Sequence, residues 1–262
     1  AAAAKADVVL YFGGLAKAYE QDMEGGDRVQ FGLPFGQDEL IGKLLDVNKN
    51  LVAVMISGNA VAMPWIDRVP AIVQGWYLGS EAGEALANVI SGKVNPSGKL
   101  PFTFPVRLED NAAHSFGEAV VYPGVESDSY REEYKEGIFV GYRWHEAKGI
   151  KPLFPFGFGL SYTTFEVADV KISDDNLAAD GTLAVTATVK NSGSRDGKEV
   201  VQLYVGKVGS RVERAPKELK GFTKVEVPAG QSRQVTISVP VQKLAFYDEA
   251  AQKWEVEKGA YK

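Results

Sequence analysis

Hydrophobic and polar positions in the first part of the chain follow two alternating patterns. Continuous apolar runs at 8–12, 51–56 and 69–73 predict three buried strands. Residues 38–47 and 79–92 instead place their apolar side chains on one helical face. Strands separated by helices are typical of a parallel sheet that helices cover. We therefore predict an α/β domain with a partial parallel sheet, and we expect its N-terminal part to lie outside this chain.

From Phe165 onwards the pattern changes to short strands in which apolar and polar residues alternate. Four segments show this alternation: 183–189, 199–205, 220–227 and 233–239. Regularly spaced short strands without helices are typical of an all-β immunoglobulin-like, or fibronectin type III-like, sandwich. Alternation lets each strand bury one side against a facing sheet. The residues expected in that core are Val185, Val189, Val201, Leu203 and Val205.

The chain between these two patterns is irregular. Residues 95–105, NPSGKLPFTFP, are punctuated by proline and glycine, and residues 107–136 are polar and acidic. We therefore predict three parts: an α/β domain at 1–106, a linker and inter-domain segment at 107–164, and the β-sandwich at 165–262.

One connection in the α/β domain is unusually long. More than twenty residues, from Gly13 to Gly36, join the first predicted strand to the first helix. Connections of this kind usually have about 2–6 residues, and longer ones are often functional. This one leaves the carboxyl end of a strand, where ligands bind in open α/β sheets. Its centre holds Glu24 between Asp22 and Asp27, so it is the candidate site of chemistry.

Composition narrows the classes of partner. A net charge of −5 leaves no basic surface for nucleic acid, and no apolar run reaches the length of a membrane span. The absence of cysteine excludes disulfides and thiol catalysis. The two histidines are far apart in the sequence and form no metal-binding pattern. We therefore predict no cofactor and no metal, and neither nucleic acid nor a membrane as a partner.

Short motifs occur along the chain in a fixed order. They are EGGDR at 24–28, LPFGQ at 33–37, SGN at 57–59, PW at 64–65, GWYLG at 75–79, NPSGKLP at 95–101, GYR at 141–143, PFGFGLSY at 155–162 and KELKGF at 217–222. The series resembles the C-terminal half of family-3 glycoside hydrolases of the β-glucosidase type, over essentially all 262 residues. Phe158 departs from the pattern, since histidine is common at that position in the family.

The resemblance implies a retaining, exo-acting β-glucosidase that hydrolyses terminal β-D-glucosyl residues of oligosaccharides or glycosides. It assigns the general acid/base to Glu24, the glutamate of the EGGDR motif. The aspartate nucleophile would lie on an N-terminal barrel, which nothing in this chain resembles. That barrel and a β-linked substrate are the expected partners, and this chain alone is expected to be incomplete and inactive. The resemblance also favours a periplasmic or secreted enzyme.

The chemistry of a retaining glycosidase fits Glu24. The acid needs a raised pKa, and neighbouring carboxylates such as Asp22 and Asp27 raise it. Arg28 acts in the opposite direction, so we expect it to point away or to pair with Asp27, and both are assigned as the supporting loop. The alternative is that these charges form a solvated surface loop. Glu20 is the nearest rival for the acid.

Two other functions stay open at this point. One is a β-xylosidase of the same family, and the other is a non-catalytic carbohydrate-binding or scaffolding module. The aromatic rings of Trp65, Trp76 and Trp144 are able to stack on sugars, but large aromatic side chains more often pack inside or between domains. Substrate-binding residues are therefore left unassigned.

Overall fold

The computed structural model describes residues 1–16, 22–23, 26–27, 30–116 and 134–262, and at residues 23, 26 and 27 it describes the backbone only. The contacts divide the chain into two compact units. The first comprises Ala1–Ser91, Phe104–Asn111 and Lys151–Leu153; the second comprises Gly92–Thr103, Ala112–Ile150 and Phe154–Lys262. The predicted boundaries at residues 106 and 164 stay a prediction.

The first unit contains a parallel sheet, a small hairpin and two α-helices. In chain order these are β1 (Val9–Gly14), β2 (Asp22–Met23), β3 (Gly26–Asp27), α1 (Gln37–Val47), β4 (Leu51–Ile56), β5 (Ala71–Gln74) and α2 (Ala82–Ile90). Short 3₁₀ turns lie at Ala3–Lys5, Ile66–Arg68, Gly79–Glu81 and Leu108–Asp110. The sheet order is β1-β4-β5, with both pairs parallel.

Burial explains why β4 is the central strand. Its sequence, LVAVMI, is apolar throughout, and Ala53, Val54 and Met55 are fully buried. A strand covered on both faces requires such a continuous apolar run. Helix α1 buries Ile41 and Leu45, one turn apart, which is the spacing that its apolar face predicts. The predicted α/β fold with a parallel sheet and helices is confirmed.

The outer face of β1 is exposed in this chain. Val8 precedes the strand, and Leu10 and Phe12 lie on it at alternating positions that share one face. Their side chains are 51%, 46% and 54% exposed, respectively. Tyr11, which points to the opposite face, is buried. The sheet is therefore covered on one side of its edge strand and uncovered on the other.

The second unit is dominated by antiparallel strands. Its elements are α3 (Tyr142–Lys148), β6 (Phe165–Ile172), β7 (Thr182–Asn191), β8 (Gly197–Val205), β9 (Glu218–Val227), β10 (Ser232–Pro240), β11 (Phe246–Asp248) and β12 (Lys253–Glu255). Further 3₁₀ turns lie at Ala112–His114 and Val241–Leu244. One sheet has the order β10-β7-β6, a second pairs β8 with β9, and β11 pairs with β12.

The core of the second unit joins both larger sheets. Its buried members come from β7, β9 and β10 and are Ala187, Val189, Val227 and Val235. Partly buried side chains of Phe165, Val201 and Val225 pack against them. Side chains from β7 and β10 in one sheet and from β8 and β9 in the other thus form one core, as in a β-sandwich. The predicted all-β sandwich is confirmed.

The core residues predicted from the alternation are partly correct. Val185, Val189 and Val205 are buried, as expected. Val201 is only partly buried, although it packs against the core. Leu203 is also only partly buried, so its assignment to the core was wrong. The pairing of β8 with β9 shifts directly after Leu203, where β9 carries one extra residue, Lys220. Leu203 itself pairs with Gly221, which has no side chain to cover it.

No helix in the described part of the chain is long and apolar enough to cross a membrane.

Candidate active site

The three parallel strands end at one edge of the sheet of the first unit. β1 ends at Gly14, β4 at Ile56 and β5 at Gln74. Parallel strands place their carboxyl ends at the same edge, which is where open α/β sheets bind ligands. The β2–β3 hairpin, the Ser57-Gly58-Asn59 segment and the Gly75-Trp76-Tyr77 segment all follow these strand ends. This edge is the candidate active site.

Gln37 closes the base of the long connection from Gly13 to Gly36. Its Nε2 donates to the Gly14 carbonyl at 2.8 Å and to the Pro34 carbonyl at 3.0 Å. Its Oε1 accepts from the Gly14 N–H at 2.8 Å. One amide side chain at the start of α1 therefore holds the entrance and the exit of the connection together.

Glycine is required where β1 ends. Gly14 has φ +136°, a backbone conformation that side-chain-bearing residues rarely adopt. A Cβ added there would also collide with the carbonyl oxygen of Ile56. Directly afterwards, the Leu15 N–H donates to the same Ile56 carbonyl at 2.7 Å. The chain thus leaves β1 in close contact with the end of β4.

Two buried aromatic residues brace the same region. The Trp65 Nε1–H donates to Asp38 Oδ1 at 2.8 Å, and the Leu33 N–H donates to Asp38 Oδ2 at 3.2 Å. The Tyr11 hydroxyl donates to Gln37 Oε1 at 2.7 Å. Burial, assisted by the negative charge of Asp38, raises the pKa of Tyr11 to about 12. Trp65 is 3% exposed, so it packs within the unit and presents no ring face to a sugar.

The β2–β3 hairpin is attached to the sheet edge through Asp22. In the hairpin, Asp22 pairs with Asp27 and Met23 with Gly26. The Asp22 carboxylate accepts three hydrogen bonds from two other segments. Their donors are the Gly58 N–H at 3.0 Å and the Tyr77 hydroxyl at 2.6 Å, both on Oδ2, and the Asn59 Nδ2–H at 3.2 Å on Oδ1.

The segments that hold Asp22 are braced in turn. The buried Ser57 hydroxyl donates to the Asn59 carbonyl at 2.8 Å and accepts from Gln74 Nε2 at 2.9 Å. Gln74 ends β5, so this contact joins the ends of β4 and β5. At Gly58, a Cβ would lie 2.9 Å from Asp22 Oδ2, a distance at which something must shift. A small residue is needed there for the carboxylate to approach.

The structure describes only some of the residues that the sequence assigned to the site. Glu24 and Arg28 lie outside the described residues, as does the rival Glu20. Asp27 is described through its backbone, which pairs with Asp22. Glu24 follows Asp22 by two positions in the sequence, and its assignment as general acid/base stays a prediction.

Sequence reasoning missed the anchoring function of three residues. It treated Asp22 as a neighbouring charge only, and it gave no individual role to Asn59 or Tyr77. The signal was present, because SGN and GWYLG each follow a predicted strand whose end faces the long connection. Polar residues that directly follow neighbouring parallel strands meet at one edge of the sheet, so the proximity of Asn59 and Tyr77 could have been predicted.

The other tryptophans considered for sugar binding pack within their own units. Trp144 is 6% exposed and belongs to an apolar cluster with Ala112, Phe139 and Ala215. Trp76 is partly buried, and its ring meets the Phe104 ring edge-on at 6.1 Å. Among the described residues, no three acidic, histidine or cysteine side chains lie close enough together to hold a metal ion.

Comparison with known families decides the assignment. Residues 1–142, more than half of the chain, match the model of the glycosyl hydrolase family 3 C-terminal domain. The chain belongs to glycosyl hydrolase family 3. Residues 199–262 of this family-3 chain match the model of a fibronectin type III-like domain. The resemblance stated from the ordered motifs is confirmed.

Relatives of the family-3 chain are β-glucosidases. It is 53% identical over 260 residues to beta-glucosidase BoGH3A of Bacteroides ovatus and 44% identical to thermostable beta-glucosidase B of Acetivibrio thermocellus. The crystal structure of DesR, a β-glucosidase from Streptomyces venezuelae in complex with D-glucose, has a TM-score of 0.90 and 40% identity. Each comparison covers 99% of this chain but 34%, 33% and 32% of these relatives, respectively. The chain thus spans about a third of their length.

Proposed function

We propose that this chain is the C-terminal portion of a retaining, exo-acting β-glucosidase that releases terminal β-D-glucosyl residues from oligosaccharides or glycosides. The relatives that carry the name β-glucosidase, one of them in complex with D-glucose, support this choice of sugar. The structural observation that carries the proposal is the attachment of Asp22 at the carboxyl edge of the sheet. This attachment places Asp22, two positions before Glu24 in the sequence, at the edge where such a sheet binds ligands.

In the proposed mechanism, two carboxyl groups share the work. An aspartate from a barrel domain outside this chain attacks the anomeric carbon, while Glu24 gives its proton to the departing glycosidic oxygen. The aspartate–sugar ester is then hydrolysed by a water molecule that Glu24, now a carboxylate, deprotonates. Asp27 and Arg28 would support the loop that carries Glu24. The complete enzyme would be periplasmic or secreted, where it meets its substrates.

The exposed face of β1 supports the proposal that this chain works within a larger protein. Val8, Leu10 and Phe12 leave one side of an edge strand uncovered. Parallel sheets are normally covered on both faces, because apolar side chains project from both. We expect other parts of the complete enzyme to cover this side.

Replacement of Glu24 tests the proposed role in the complete protein. Glu24→Ala should lower kcat/KM for an alkyl β-glucoside by about 10²–10⁴-fold, because a poor leaving group needs the proton of the acid. A nitrophenyl β-glucoside should lose much less, because its leaving group departs without protonation. The measurement is kcat/KM for both substrates with the native and variant enzymes.

Glu20→Ala is the matched control, since it removes the same group from the same connection. It should leave the ratio of the two kcat/KM values unchanged. Equal losses on both substrates for Glu24→Ala would contradict the assignment, and a selective loss for Glu20→Ala would transfer the role to Glu20. Nitrophenyl β-xyloside, assayed in parallel, separates the glucosidase from the xylosidase, and the absence of any hydrolysis would favour the non-catalytic module.

A further inference from the structure

The β2–β3 hairpin is too small to hold its own position. Each of its strands has two residues, and only two residue pairs face each other. Even longer isolated two-stranded hairpins are marginally stable in water. Its placement therefore depends on contacts with the rest of the unit, and among the described residues the Asp22 side chain provides three of them.

These three contacts fix the hairpin from two directions. Gly58 and Asn59 follow β4, whereas Tyr77 follows β5. The hairpin is consequently held against the ends of two adjacent strands, which the Ser57–Gln74 hydrogen bond joins. Attachment to two rigid elements restrains rotation as well as translation, and catalytic geometry requires both.

The Asp22 carboxylate is suited to anchoring. Its Oδ2 accepts from Gly58 and Tyr77, and its Oδ1 accepts from Asn59. Both carboxylate oxygens are thus used as acceptors in the attachment to the sheet edge. The anchor and the proposed acid are different residues, two positions apart in the sequence.

We propose that Asp22 is the positioning residue for the connection that carries Glu24: its carboxylate, bound by Gly58, Asn59 and Tyr77, attaches β2, which directly precedes Glu24 in the sequence, to the sheet edge. This inference rests on the proposed function. It extends that function by assigning the positioning of the connection around Glu24 to Asp22 and to the three residues that bind it.

Asp22→Asn and Tyr77→Phe in the complete protein test this role. An asparagine Nδ2 donates and does not accept, so at least one of the three donors loses its acceptor. Misplacement of a catalytic group by about 1 Å costs about 10²-fold, so Asp22→Asn should lower kcat/KM for an alkyl β-glucoside by about 10²-fold. The value of kcat/KM for a nitrophenyl β-glucoside should fall by less than about fivefold, because its leaving group needs little help from the acid. Tyr77→Phe removes one donor and should cause a selective loss of about tenfold.

Asp110→Asn is the matched control within the same unit, because Asp110 is a buried carboxylate outside the connection that carries Glu24. It accepts from the Arg107 Nε–H at 2.9 Å. Its replacement should lower the melting temperature and change kcat/KM for both substrates by the same factor. If Asp110→Asn produced the same substrate selectivity as Asp22→Asn, general destabilisation would explain both variants and the positioning role would be overturned.

The double variant Asp22→Asn/Glu24→Ala separates failure of this inference from failure of the proposed function. If Asp22 acts through Glu24, Asp22→Asn should change kcat/KM by less than about twofold once Glu24 is alanine, because coupled residues are not additive. A second outcome is that the effects of the two substitutions on kcat/KM are fully additive while Glu24→Ala alone still slows substrates with poor leaving groups selectively. That result overturns the positioning role and leaves the proposed function intact. A non-selective Glu24→Ala overturns both. Should Asp22→Asn fail to fold, Tyr77→Phe supplies the same cycle with Glu24→Ala.

Discussion

Single polar side chains hold the long connection of the first unit at three places. Gln37 joins its two ends, Asp38 holds the stretch before α1, and Asp22 attaches its middle to the sheet edge. The sequence predicted that this connection carries the chemistry, and the EGGDR motif assigned the acid/base to Glu24, but neither showed that Asp22 is an anchor. The anchoring contacts of a carboxylate depend on donors from distant segments, which one sequence does not place.

A second carboxylate, Glu218 in the sandwich unit, allows a prediction at the residue scale. Burial alone would raise its pKa, but Lys220 at 3.2 Å and the guanidinium groups of Arg143 and Arg214 at 3.4 Å lower the pKa below its ordinary value of 4.5. A depressed pKa means that ionised Glu218 stabilises the fold above about pH 4.5, and that this contribution is lost as the pH falls through the folded-state pKa.

Glu218→Gln should therefore lower the melting temperature at pH 7, and the difference from the native protein should shrink below about pH 4.5. Glu226→Gln, on the same strand, is the control, because its ion pair with Lys198 is largely solvent-exposed and contributes little. Thermal unfolding of the three proteins at several pH values measures the effect. A Glu218→Gln difference that stays constant from pH 7 to pH 3 would contradict the predicted linkage.

At the scale of elements, periodic segments were predictable and short ones were not. Strands β7 to β10 of the sandwich lie within a few residues of their predicted positions. Each has nine or ten residues, which is long enough for the alternation of apolar and polar positions to be visible. The hairpin β2–β3 was missed, since strands of two residues show no period. Helix α3 was missed as well, because seven residues are too few to show a helical face, although Gly149 at its end, with φ +64°, is a common stop signal.

The sandwich core supplies the prediction at this scale. Val189 is fully buried between the sheets, so Val189→Ala should lower the free energy of unfolding by about 2 kcal/mol through lost burial and a residual cavity. Val170→Ala is the matched control on β6, because its side chain is 63% exposed, and it should change stability by less than about 0.5 kcal/mol. Denaturant unfolding measures both variants.

The sandwich is expected to stabilise the enzyme and to supply no catalytic group. The KM of the folded Val189→Ala enzyme for a nitrophenyl β-glucoside should therefore match that of the native enzyme. A variant with native stability but altered substrate preference would contradict this view and would assign the sandwich to the active site.

At the scale of the whole molecule, the proposed reaction needs two carboxyl groups, and the proposal assigns one of them, that of Glu24, to this chain. It spans about a third of the length of its relatives. Its ordered motifs were sufficient to predict the family, since they are spread along the whole chain. They did not reveal the hydrogen bonds that hold Asp22 at the sheet edge, because those contacts join residues that lie up to 55 positions apart in the sequence.

The isolated chain of 262 residues should hydrolyse no glycoside at a measurable rate, because the proposal places the nucleophile on a domain outside it. The assay uses nitrophenyl β-glucoside, which needs little help from an acid, and the complete protein serves as the positive control. Turnover by the isolated chain that Glu24→Ala abolishes would show that both carboxyl groups lie within it.

The central claim, that Glu24 is the acid/base of a retaining β-glucosidase, is tested most directly by the product that azide forms. In the complete Glu24→Ala enzyme, azide needs no general base and should attack the aspartate–sugar ester in place of water. The account predicts that azide restores turnover of a nitrophenyl β-glucoside and that nuclear magnetic resonance identifies the product as β-glucosyl azide. An α-glucosyl azide would contradict retention, and the absence of both rescue and adduct would contradict the role of Glu24.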